Sequence, residues 1–115
     1  MGTETVVKKP KDKIIYSRLF WGFIEHMGEI MQKGAEKYPE NNWLLLEDEE
    51  IINSLCRHVI EIMKGNYKDS ESGCTHFGHV AINSMFLYFK LLKAGRLETN
   101  ANYLNLIINN NEQGK

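Results

Sequence analysis

Residues 65–95 read "GNYKDSESGCTHFGHVAINSMFLYFKLLKAG". A polar loop passes into an apolar run between two glycines. From Thr75 onward, Val80, Ile82, Met85, Phe86, Phe89 and Leu92 recur at helical spacing, and no strand-like alternation competes. The Thr75 hydroxyl is placed to cap a helix, and Gly95 to end it. Within fifteen residues of this stretch stand Asp69, Glu71, His76, His79 and Asn83. Solvent alone does not call for such a set beside an apolar helix face.

The same period extends to both sides. Upstream, Ile51, Ile52, Leu55, Val59 and Ile62 predict a helix from near Glu47 to Gly65. The acidic "EDEE" at its start suits the positive end of the helix dipole. Before it, "PENNWLLL" reads as a turn and a short apolar segment. Leu19, Phe20, Phe23, Ile24, Met27, Ile30 and Met31 predict a first helix from about Tyr16 to Tyr38, with Ser17 as its cap and Pro39 as its stop. Leu97, Tyr103, Leu104, Leu106 and Ile107 predict a fourth helix over 97–109. The expected class is all-α: four helices with short, antiparallel connections. Residues 1–13 read as a polar arm, 14–109 as one helical domain, and 110–115 as a tail. Helices this short leave apolar strips uncovered, so a homo-oligomer is expected.

Composition narrows the function classes. The chain has 115 residues, 43% hydrophobic and 25% charged, with a formal net charge of −1. That length suits one domain with a modest core. The charge gives no bulk attraction to nucleic acid or to an anionic membrane, and "KKPKDK" near the N-terminus is the one basic cluster. Two cysteines, Cys56 and Cys74, make neither a disulfide framework nor a zinc set. They read as reduced thiols of the cytoplasm. Neither a signal peptide nor an apolar membrane span is apparent.

The candidate site residues lie on the first three predicted helices and in the segments that join them. His76, His79 and Asn83 share a face at the start of helix three, where backbone N–H groups favour anions. Two histidines one turn apart either share a divalent metal or hydrogen-bond to a buried carboxylate. On helix one, Glu29 stands near the core boundary, one turn from His26. On helix two, His58 falls on the apolar stripe and reads as a core histidine. Arg57, beside it, points at a phosphate or pairs with Glu61 at i+4. Glu71 and Ser72 read either as a plain turn or as groups that fold back to fix the histidines. Lys37 is a candidate phosphate contact, and Trp43 and Tyr38 are candidate base platforms; each also has a plain core or surface reading.

Taken together these residues resemble a known family. "GAEKYPENNW" at 34–43, Arg57–His58, Gly65 and "DSESGCTHFGHVAIN" at 69–83 look like the phage and bacterial dATP/dGTP diphosphohydrolases, grouped with the MazG-like all-α nucleotide pyrophosphohydrolases. Order and spacing hold over about 50 residues, near half the chain. The resemblance implies a four-helix MazG-like bundle, assembled as a homodimer or homotetramer. It implies that water attacks between the α- and β-phosphates of a purine deoxynucleoside triphosphate, dGTP or dATP, giving monophosphate and pyrophosphate. Mg²⁺ or Mn²⁺ would neutralise the developing charge. It further implies reacting roles for Glu29, Glu71 and His79, and metal ligation by His26, Glu29, His76 and His79. Lys37, Arg57 and His58 would meet phosphate. Tyr38, Asn42, Trp43 and Asn83 would meet base and sugar, and Asp69 and Ser72 would hold the histidines. The implied compartment is the cytoplasm, that of a phage-infected bacterium included.

One departure accompanies the match. MazG-like enzymes usually carry two glutamates one turn apart on the first helix, and the first of these positions is His26. The exchange removes a negative charge from a hard-cation site and suits Mn²⁺ or Zn²⁺ better than Mg²⁺. It keeps a second reading open: a nucleotide-binding protein that has lost hydrolysis and sequesters a nucleotide signal.

Overall fold

Three helices organise residues 13–98, the part of the chain that the computed structural model describes: α1 (Trp21–Ala35), α2 (Asp48–Met63) and α3 (His76–Lys93). No named strand occurs among the described residues; one isolated antiparallel bridge joins Lys68 and Thr75. The helix ends follow their sequence signals. Thr75 is extended, and its hydroxyl accepts the Gly78 N–H at 3.1 Å, which satisfies one orphan donor of α3. α2 closes with Gly65 at φ +86°: Gly65 N–H donates to Ile62 O and Asn66 N–H to Glu61 O. Gly95, at φ +73°, closes α3 the same way on Leu92 and Leu91. Both ends need a left-handed residue, which glycine adopts without steric cost.

α2 and α3 run antiparallel. Asp48, at the start of α2, pairs at the end of α3 with Lys90 (3.1 Å) and Arg96 (3.4 Å). The Lys90 ammonium also donates to the Leu46 carbonyl. Just before α2, a 3₁₀ turn (Asn42–Leu45) carries Trp43 into the core. Its ring stacks on Phe86 with centroids 4.3 Å apart and meets Phe89 edge-on at 5.5 Å. Such pairs add about 0.5–1.5 kcal/mol beyond area burial. Ile51 of α2 is the most deeply buried large side chain, 1% exposed.

α1 lies against α3 as well, and no close backbone approach joins α1 to α2. Ile30, Cys74 and Ile82 form the centre of this contact, with Met27, Met85 and Phe86 around them. The helices meet at Gly78, where a Cβ would stand 2.3 Å from Ile30 Cδ1 and 2.8 Å from the His26 ring. Only a glycine lets α1 come this close.

Helix one is shorter than its periodicity predicts. Tyr16–Arg18 form a separate 3₁₀ turn, and Leu19 and Phe20 are extended. Phe20, not Ser17, therefore precedes the helix, and no side chain caps it. At the other end Tyr38, the residue before Pro39, is barred from helical geometry. The chain unwinds ahead of it, with Lys37 and Tyr38 N–H both donating to Gly34 O. The fold is all-α in the described residues, with three helices. Of the expected fourth helix, Leu97 and Glu98 are described and are not helical; the remainder lies outside the described residues, as do residues 1–12 of the arm. No helix among the described residues is long and apolar enough to cross a membrane.

The Gly78 contact makes a sharp prediction. Gly78→Ala should lower stability by about 1–3 kcal/mol through overpacking. Gly28→Ala, on α1 with nothing within 4 Å of its Cβ, should raise it by about 0.5–1 kcal/mol. Urea denaturation of the two variants checks this, and equal midpoints would remove the crossing from the account.

Candidate active site at the start of α3

The loop before α3 is built around one carboxylate. Asp69 Oδ2 accepts from the Ser72 hydroxyl at 2.7 Å and from the Ser72 N–H at 3.1 Å. The backbone closes the same turn: Gly73 N–H donates to Asp69 O and Asp69 N–H to Cys74 O, each at 2.8 Å. Gly73 takes φ +75°, which fits the tight reversal. Asp and Ser side chains favour such local bonds, which is why this segment forms a turn and not a further helical stretch.

Ser72 passes this order to a histidine. Its oxygen accepts from Cys74 N–H at 3.1 Å and lies 2.7 Å from His79 Nε2. Because the Ser72 hydrogen is directed to Asp69, His79 Nε2 carries a proton and donates. The basic lone pair of neutral His79 is then on Nδ1. His79 stacks on His58 of α2, with centroids 4.5 Å apart and planes 8° from parallel. His58 Nδ1 lies 2.8 Å from Nδ1 of His76, which is 6% exposed. One of these two nitrogens donates and the other accepts. Asn83 secures the arrangement from below, with its amide donating to His79 O at 2.9 Å and to Ser54 Oγ of α2 at 3.3 Å. Asp69, Ser72, His58, His76 and His79 therefore form one cluster, and Asn83 ties it to α2.

His26 and Glu29 form a second arrangement on α1. His26 Nε2 lies 2.8 Å from Thr75 Oγ1 and 3.4 Å from Thr75 N. The Thr75 oxygen already accepts from Gly78, so its hydrogen is available to His26 Nε2. His26 Nδ1–H then donates to Glu29 Oε1 at 3.1 Å. This chain ties α1 to the cap of α3. The α3 N-terminus is correspondingly closed: His76 N–H donates to Tyr67 O, Gly78 N–H to Thr75 Oγ1 and His79 N–H to Thr75 O. The anion site expected at the bare helix start has few free donors.

The remaining expected residues are scattered. Trp43 is 8% exposed, with a ring face covered by Phe86, so it stands in the core and not as an open platform. Tyr38 is 57% exposed, and Lys37 beside it is exposed in the turn after α1. Asn42 opens the 3₁₀ turn and is half-buried. Arg57 is exposed next to His58 and makes no pair with Glu61, which Lys64 and Asn66 hold instead. Glu71 is exposed at the loop tip. Of the expected ligands, His26 and Glu29 bond to each other, His76 to His58 and His79 to Ser72, and among the described residues no group of three or more His, Cys, Asp or Glu side chains is set to hold a metal ion. No preformed metal cage is therefore present in the described part of the chain.

Three features of the site escape the motif reading. Thr75 is both helix cap and partner of His26. Tyr67 and Phe77, both exposed, pack ring to ring at 5.6 Å beside the loop. Lys33 reaches from α1 to the Ser72 carbonyl at 2.9 Å. Helical spacing contains the signal for Lys33, which stands four residues after Glu29 and seven after His26, on one face.

Burial pushes the His58 and His79 pKa values below the ordinary 6.5. For His58, the neighbouring His79 and His76 push the same way, against Asp69; for His79, Asp69 pulls back. Burial would raise Asp69, but the hydrogen bonds from Ser72 and from the Glu71 backbone outweigh it and hold the carboxyl below 3.8. Both histidines are accordingly neutral at pH 7. The unfolded chain binds their protons first, so stability is complete above about pH 7 and falls as pH drops through 6.5 towards the lower folded values. Asp69 contributes stability above 3.8 that is lost only below it, outside this window. Urea midpoints between pH 7.5 and 5 should show the loss, and the slope should shrink in His58→Gln. A flat profile would contradict the buried neutral pair.

Comparison with known proteins matches this sequence to a family. The family model described as dATP/dGTP diphosphohydrolase, N-terminal, covers residues 3–100. A protein of Salmonella phage PMBT28 named dATP/dGTP diphosphohydrolase is 32% identical over 87 residues, which is 76% of this chain and 30% of that relative. The chain thus matches under a third of the relative's length. No solved structure gives a significant match. The motif residues Asp69, Ser72, His58, His76, His79 and Asn83 are the ones the fold gathers, and the chain belongs to the dATP/dGTP diphosphohydrolase family.

Proposed function

We propose that the protein hydrolyses a purine deoxynucleoside triphosphate, dGTP or dATP, to the monophosphate and pyrophosphate. One observation carries the reading: the Asp69–Ser72–His79 chain holds a neutral imidazole with its basic nitrogen defined, packed on a second neutral imidazole, His58. A neutral histidine held in one tautomer is what proton removal from an attacking water requires, and such assistance is worth about 10²–10⁴ in rate. The relative's name supports the purine substrate and the diphosphohydrolase reaction.

A divalent ion, Mg²⁺ or Mn²⁺, belongs to the same proposal. Mg²⁺ keeps several waters and commonly binds through one or two carboxylates and the substrate's own phosphates, so a complete protein cage is not required. Glu29, 60% exposed, and Glu71, exposed at the loop tip, are the carboxylates free enough to take part. The ion would neutralise phosphate charge there. The assembly proposed is a homodimer or homotetramer. Supporting it, Trp21, Ile24 and Met31 of α1 are exposed apolar side chains, and Ile24 and Met31 flank Met27 at the edge of the core contact.

A second reading, nucleotide binding without hydrolysis, is favoured by the engagement of His26 with both Glu29 and Thr75. One experiment separates the two. Purified protein is incubated with each dNTP in Mg²⁺ and in Mn²⁺, and products are resolved by ion exchange. Monophosphate plus pyrophosphate from dGTP or dATP is expected, with His79→Gln lowering kcat about 10²-fold or more while the far-ultraviolet circular dichroism stays unchanged. Tight binding with no turnover would favour the second reading, and neither binding nor turnover would sink both. Light scattering should give a mass above the monomer, reduced by Trp21→Ser; a monomeric wild type would remove the oligomer.

A further inference from the structure

Lys33 is the cation most closely tied to the polar cluster. Its ammonium donates to the Ser72 carbonyl at 2.9 Å, while the Ser72 hydroxyl on the same residue joins Asp69 to His79. It also lies over Gly73: a Cβ there would stand 3.6 Å from Lys33 Nζ. One of its three N–H groups is spent on Ser72, which leaves two for other acceptors. Lys37 and Arg57, the cations that the motif singles out, are exposed and make no hydrogen bond or ion pair to the loop. Near the loop stand two carboxylates. Asp69 is saturated by Ser72 and by Glu71 N–H, and exposed Glu71 faces solvent. Neither carboxylate forms an ion pair with Lys33.

We propose that Lys33 binds the phosphates of the substrate and holds them against the 69–73 loop, beside His79. This deepens the nucleotide reading of the preceding subsection and rests on it. A long cationic side chain on α1 anchored to a carbonyl on the loop is a preset arm: part of its rotameric freedom is already lost, so an anion gains its charge at lower entropic cost. The ammonium acts as a point charge, as lysine does at phosphate sites generally. The N–H groups of Asp69, Ser72, Gly73 and Cys74 are occupied by Asp69, Ser72 and the Cys74 carbonyl. The site therefore depends on an added cation.

The test compares Lys33→Met, Lys33→Arg and, as a charge control on an exposed residue, Lys13→Met. Binding of dGTP, dATP, the corresponding deoxynucleosides and inorganic tripolyphosphate is measured by calorimetry at two salt concentrations. Lys33→Met should bind triphosphates about ten- to a hundredfold more weakly, with a shallower salt dependence, and bind nucleosides as the wild type does. Lys33→Arg should recover most of the loss, and Lys13→Met should match the wild type. A merely structural lysine would weaken nucleoside and triphosphate alike. If Lys33→Met, folded by circular dichroism, binds tripolyphosphate like the wild type, or the wild type binds no phosphate compound, the role is overturned. If the wild type binds tripolyphosphate but no dNTP, and Lys33→Met loses it, the phosphate site stands and the nucleotide reading fails.

Discussion

The close crossing of α1 and α3 at Gly78 is the contact that the rest of the structure depends on. With no side chain there, Ile30 and His26 settle directly on the first turn of α3. That placement lets Ile30 join Cys74 and Ile82 in the core, and it brings His26 to Thr75. The apolar contact and the polar one are two sides of one approach. A methyl group at position 78 would disturb both, because the nearest atoms include a buried side chain end and a ring already committed to a hydrogen bond.

Beyond the crossing, the site is a problem of keeping polar groups in order at a half-buried boundary. Imidazoles tolerate that boundary because they shed their charge, whereas a carboxylate does not. Asp69 remains ionised there because Ser72 and the loop backbone donate to it. Ser72 is the pivot: it gives its hydrogen to Asp69 and so obliges His79 to be a donor. The acid and the imidazole are linked without touching closely; His79 Nε2 and Asp69 Oδ2 are 3.6 Å apart. Serine here is a positioning group, since its own hydrogen is held by the carboxylate.

Much of this is written locally. Gly65, Thr75 and Gly95 mark helix ends through backbone chemistry that involves only near neighbours, so α2 and α3 follow from their sequence. The 69–83 motif is likewise local, and its residues do come together. What spans distance is less legible. Periodicity gives the same weight to Leu19 as to Ile30, but an extended Leu19–Phe20 step breaks the first helix, and that step answers to no strong signal. Trp43 reads as exposed or buried with equal ease until Phe86 is known to lie against it. His26 carries no mark that distinguishes a metal ligand from a partner of Thr75, because the deciding atom is 49 residues away. A separation of 39 residues likewise hides Lys33, whose partner belongs to a loop that its own helix gives no hint of.

The absence of a close approach between α1 and α2 has a thermodynamic consequence. α2 and α3 brace one another along their length, while α1 is attached to α3 alone. An element held on one side opens at lower free-energy cost than the body it rests on. Yet α1 supplies His26, which bonds to Thr75, and Lys33, which bonds to the Ser72 carbonyl, from outside the α2–α3 pair. Any molecule that bridges α1 to the loop therefore fastens the first helix, and does so by mass action: about 2.7 kcal/mol when its concentration is a hundred times its dissociation constant. For such a molecule, binding and the docking of α1 on α3 are linked equilibria, each strengthening the other.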